Sequence, residues 1–124
     1  MTYREVISTL RTMGTAQNAK VYKRHGAGEN VFGVSFANLN KLKNKIGQDH
    51  SLSQKLWASD NTDARTLAVM IADPNRFKTG DANRWIAATD YYLLADMVAE
   101  LVSRTPYAEN KMRKWIQAQP EYTR

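Results

Sequence analysis

The chain has 124 residues, 43% of them hydrophobic and 24% charged, which excludes wholesale disorder and fits one domain with a real core. It has no cysteine, so disulfides, thiolate metal sites and cysteine nucleophiles are excluded. No apolar run nears the roughly 20 residues of a membrane span, and Met1 leads into polar residues, which points to a soluble, cytoplasmic protein. The net charge of +6 is uneven: residues 1–62 hold nine Lys/Arg against four acids, residues 63–124 nine against eight. An excess of that kind favours an anionic partner, nucleic acid first.

In chain order the apolar spacing is helical throughout. Val6, Leu10 and Met13 fall at i, i+4, i+7; Gly14 stops that helix and Thr15 caps the next. Ser35 precedes Phe36, Leu39, Leu42 and Ile46, a stripe closed by Gly47. A shorter helix begins near Ser51 and runs through Leu52, Leu56 and Trp57. Ala64, Leu67, Ala68 and Ile71 mark another, ended by Asp73-Pro74 because proline disfavours helix before it. Leu94, Val98, Leu101 and Val102 form one more core stripe, and Thr105-Pro106 reads as a cap with proline at the first helical position. The expectation is an all-α chain of about eight helices.

These helices repeat. Lys55-Leu56-Trp57-Ala58-Ser59, Arg84-Trp85-Ile86-Ala87-Ala88 and Lys114-Trp115-Ile116-Gln117-Ala118 recur at intervals of 29 and 30. Each is followed by a polar break and, in the first two cases, a second helix. Antiparallel helix pairs at a fixed period describe an α-solenoid, whose units bury their apolar faces against neighbours. Residues 1–124 form a single such domain. The third unit stops near Pro120, so its completion by further sequence or by a second copy in a homodimer is expected.

On the helix over Asp90–Val102, Tyr92, Asp96, Ala99 and Ser103 occupy a different face from the core stripe. A carboxylate there has two explanations: solvent or an ion pair, or a working acid one turn from an aromatic hydroxyl. His25 and His50 lack acids at ligand spacing, so neither a metal nor a cofactor is expected. Gly26-Ala27-Gly28-Glu29-Asn30-Val31-Phe32-Gly33 lacks the flanking features of a phosphate loop and reads as a connection between helices. Lys20, Lys23 and Arg24 share a helical face, as do Lys111 and Lys114, and both clusters suit phosphates. Lys43 lies opposite Lys41 and Lys45, which suits a solvated surface. Trp57, Trp85 and Trp115 suit core anchors.

Three stretches together resemble the AlkD-like DNA alkylation-repair glycosylases, built of HEAT-like repeats. They are Val21-Tyr22-Lys23-Arg24-His25-Gly26-Ala27-Gly28, Phe32-Gly33-Val34 with Leu39 and Leu42, and Leu56-Trp57-Ala58 through Asp63-Ala64-Arg65 to Ile71-Ala72-Asp73-Pro74. The resemblance covers nearly the whole chain, although family members are usually nearly twice as long. It implies a basic concave surface that grips double-stranded DNA with alkylated bases, and hydrolysis of the N-glycosidic bond of N3- or N7-alkylated purines without base flipping. The family's aromatic-x-x-x-Asp motif maps onto Tyr92 and Asp96, with Tyr where Trp is usual, and its catalytic Arg onto Arg124. Lys20, Lys23, Arg24, Arg65, Lys111 and Lys114 become the candidate DNA contacts. Activity of these 124 residues alone is expected to be weak or absent. The alternative is a HEAT-like scaffold that holds DNA or a protein without catalysis.

Overall fold

The computed structural model describes residues 1–88 and 91–106, and the side chains of all of these except Thr79 and Tyr92. Seven α-helices occupy them, with no strand among the described residues: α1 (Tyr3–Met13), α2 (Ala16–Arg24), α3 (Phe36–Ile46), α4 (His50–Ala58), α5 (Thr62–Ile71), α6 (Thr79–Ala87) and α7 (Tyr92–Ser103). The eighth expected helix, the third tryptophan unit, Lys111, Lys114 and Arg124 lie outside the described residues.

The helix starts follow from short polar side chains. Thr2 accepts from the Glu5 amide while the Glu5 carboxylate accepts from the Thr2 amide, a reciprocal cap. Thr15 and Ser35 cap α2 and α3 as their positions predict. Two starts differ from the apolar reading. Asp49 caps α4 by accepting from Leu52, and Asn61 caps α5 by accepting from Ala64, so both helices begin before their first apolar residue. A cap is polar and leaves no mark in hydrophobic periodicity.

The helices form two layers. α5 packs most extensively against α4 and also touches α3 and α7, α6 packs on α7, and α1 lies against α4 and α5. Thus α3, α5 and α7 stand side by side, with α4 and α6 behind them. The repeat period is visible directly, since α4 and α6 begin at His50 and Thr79, 29 residues apart, and α5 and α7 at Thr62 and Tyr92, 30 apart. Trp57 of α4 and Trp85 of α6 stack face to face, with centroids 4.2 Å apart and planes 2° from parallel. Phe77 meets Trp85 edge-on at 4.7 Å. Both tryptophans are buried, as core anchors should be. The predicted α7 stripe is also core, with Leu94, Val98, Leu101 and Val102 all buried.

A second set of contacts ties the connection between α2 and α3 onto α5. The Asp63 carboxylate, 1% exposed, accepts backbone N–H bonds from Phe32 at 2.5 Å, Gly33 at 3.2 Å and Val34 at 2.9 Å. Asn61 donates to the Asn30 side chain at 2.9 Å, and the Thr62 amide donates to the Asn30 carbonyl at 2.9 Å. The loop approaches so closely that two glycines are required. A Cβ on Gly14 would fall 2.2 Å from the Phe32 carbonyl oxygen, and Gly33, at φ +83°, would place one 2.3 Å from that of Thr15. Gly14 itself has φ −66°, so close approach explains it, and a left-handed cap does not.

Candidate functional site

An open groove of about 850 Å³ runs along the α3, α5 and α7 layer. Its floor is apolar, formed by Val69 and Met70 of α5 with Leu93 and Met97 of α7. The α7 wall continues through Asp96, Glu100 and Arg104, spaced by four residues and so aligned along one helix face. The α3 wall presents Phe36, Asn40, Lys43 and Asn44.

Asp96 therefore reaches a groove, and its side chain is exposed there. The acid beside it is engaged differently, since Glu100 pairs with Arg104 at 3.2 Å. Asp96 takes part in none of the four ion pairs among the described residues. The groove face runs through Leu93, Asp96, Met97 and Glu100, on the other side of Asp96 from the expected Ala99 and Ser103. Tyr92 opens α7 one turn before Asp96; its side chain and Arg124 lie outside the described residues.

The expected cations separate into distinct places. Lys20, Lys23 and Arg24 are exposed on α2, which contributes nothing to the groove lining. Lys23 also meets Glu29 at 3.1 Å, a surface pair worth little. Arg65 turns into its own chain. Its Nε donates to the Trp57 carbonyl at 3.0 Å, its guanidinium meets Asp60 at 3.3 Å and lies 4.7 Å from the Trp57 ring centroid, and the side chain is only 17% exposed. Such an arginine is a structural brace. It borders a separate cleft of about 210 Å³ beside the Gly26–Asn30 connection.

Lys43, assigned to the solvated surface by its spacing, is exposed and also stands on the groove wall. Among the described residues the lining carries Lys43 and Arg104 beside Asp96 and Glu100. Asp63 was also missed as a structural residue, because its three donors lie about 30 residues earlier in sequence. The signal for it was chemical: a tightly packed glycine-containing loop must find acceptors for its amides. Near this clasp, Tyr22 donates to the Val34 carbonyl at 2.7 Å. Burial, and secondarily the negative charge of Asp63, raise its pKa above the ordinary tyrosine value.

Among the described residues no cluster of three or more His, Asp or Glu is arranged to hold a metal. No helix among them is long and apolar enough to cross a membrane.

Comparison with known proteins places this architecture. A solved structure from a family described as related to the HEAT-like repeat DNA glycosylases, with affinity for branched DNA structures, superposes with a TM-score of 0.89. It is 34% identical, over 95% of this chain and 51% of that one. Uncharacterized proteins of Listeria innocua and Listeria monocytogenes are each 23% identical over 130 residues, covering 100% of this chain and 58% of theirs. The chain thus spans little more than half the length of these relatives. The fold is a HEAT-like helical repeat, and the family model for the DNA alkylation repair enzyme matches residues 6–124: the chain belongs to the DNA alkylation repair enzyme family.

Proposed function

We propose that the groove along α3, α5 and α7 lies against double-stranded DNA carrying alkylated bases. In this reading Asp96 assists hydrolysis of the N-glycosidic bond of an N3- or N7-alkylated purine. The observation that carries it is the Asp96 carboxylate, exposed on the groove wall and outside every ion pair among the described residues. An alkylated purine is already a cationic leaving group, so it needs little protonation. Positive charge develops instead on the sugar, where a carboxylate stabilises it and orients the attacking water. The base need not be flipped from the stack for an acid on an open wall to reach the sugar. Tyr92, one turn earlier on α7, is the residue assigned to lay its ring against that sugar, and Arg124 the candidate cation completing the site.

The test is release of 7-methylguanine from methylated duplex DNA by the natural gene product. Wild type should release it, and Asp96→Asn should abolish release while leaving thermal stability and DNA affinity unchanged. Unchanged release in Asp96→Asn sinks the catalytic assignment. A second reading is favoured by the solved relative's described affinity for branched DNA, namely that the groove holds such DNA without cutting it. Binding of branched DNA with no base release by wild type would select that reading.

A further inference from the structure

The α3 wall of the groove has an unusual composition for a surface facing DNA. Phe36 opens the helix and stays 40% exposed, although Leu39 and Leu42 of the same expected stripe are buried. Asn40 and Asn44 follow at i+4 and i+8, so all three share one face, and all three line the groove. An exposed aromatic offers a stacking surface to any base. A carboxamide carries both donor and acceptor and matches the edge of a base in two-point contact. The apolar floor below suits a base far better than a phosphate, whose charge would lose its water there.

We infer that Phe36, Asn40 and Asn44 form a reader of unstacked bases in DNA. Phe36 stacks on a base that has lost its neighbour, and the two amides bond that base's edge. In an intact duplex every base face is covered, so the stripe makes its contact only where the stack is broken, as at a junction or a bulge. Lys43, on the same wall, supplies the sequence-independent phosphate contact beside it. The inference rests on the reading that DNA lies in this groove, and it holds whether or not Asp96 cuts.

The experiment is fluorescence anisotropy with the full chain and three labelled DNAs of equal length: an intact duplex, a duplex with one bulged base, and a three-way junction, over a series of salt concentrations. Wild type should prefer the bulge and the junction to the duplex. Phe36→Ala should weaken binding to both by about tenfold, the order of one lost stacking contact, and to the intact duplex far less, with the salt slope unchanged. Asn40→Ala with Asn44→Ala should cut the preference further, and Phe36→Trp should restore it. Lys43→Ala should weaken all three DNAs alike and lower the salt slope by about 0.9. Equal affinity of wild type for the three DNAs overturns the reader while leaving DNA binding in place, as does a preference that survives in Phe36→Ala. Absence of binding to any of them at low salt overturns the reading beneath it as well.

Discussion

Asp63 and Asp96 are aspartates on neighbouring helices of one layer, α5 and α7, and they meet opposite conditions. Asp63 is buried and accepts three backbone N–H bonds from the loop before α3. Asp96 is exposed on a groove wall and in no ion pair among the described residues. A buried carboxylate persists only when the fold supplies its donors, and in doing so it becomes a fastener. An exposed carboxylate contributes almost nothing to folding and keeps its lone pairs for something else. The same residue type therefore serves structure in one place and is available for chemistry in the other.

That contrast breaks most easily at Asp63. Asp63→Ala strands three amides in a packed interior and should cost about 3–5 kcal/mol in urea unfolding, enough to threaten folding of a small domain. A loss below about 1 kcal/mol would remove the fastener from the account. Arg65→Ala comes next, at about 1–2 kcal/mol, because it removes both the brace on the Trp57 carbonyl and the packing over the ring. It should also alter the near-ultraviolet circular dichroism of the Trp57–Trp85 stack, and Arg65→Lys should not rescue it, since an ammonium lacks the planar fork. Were Arg65 chiefly a phosphate contact, the substitution would instead lower the salt slope of DNA binding.

Tyr22→Phe should cost about 1 kcal/mol, the worth of one hydrogen bond to Val34. Its pH dependence carries a definite sign. The folded pKa is raised above 10.0, so the contribution is fully present below the unfolded value and is lost as pH climbs from there through the folded one. Alkaline denaturation of wild type should therefore be steeper than that of Tyr22→Phe, and identical profiles would contradict the raised pKa of the partly buried hydroxyl. Smallest of all, Lys20→Ala and Arg24→Ala should stay within about 0.5 kcal/mol of wild type, as exposed residues on α2 do.

Much of the fold was legible because helices announce themselves locally. The α7 core stripe, the Thr15 and Ser35 caps and the 29- to 30-residue period all depend on neighbours within a few positions or on simple recurrence. Asp96 was legible in the same way, as an acid off the core stripe. What local spacing could not show was which helix faces which. Phe36 belonged to an apolar stripe yet opens onto the groove, and the exposed Lys43 stands on the groove wall, both because α7 lies across α5 from α3. Asp63 and Arg65 were hidden for a related reason, since their partners lie 31 and 8 positions away on other segments. Of the basic excess of the first half, Lys43 is the cation among the described residues that lines the groove.

The contrast between the two aspartates comes down to one paired measurement on Asp96→Asn in the natural gene product, with base release from methylated duplex DNA and urea unfolding followed on the same sample. The account predicts stability within about 0.5 kcal/mol of wild type and no detectable release of 7-methylguanine. Release at the wild-type rate, or unfolding as severe as that of Asp63→Ala, would contradict it.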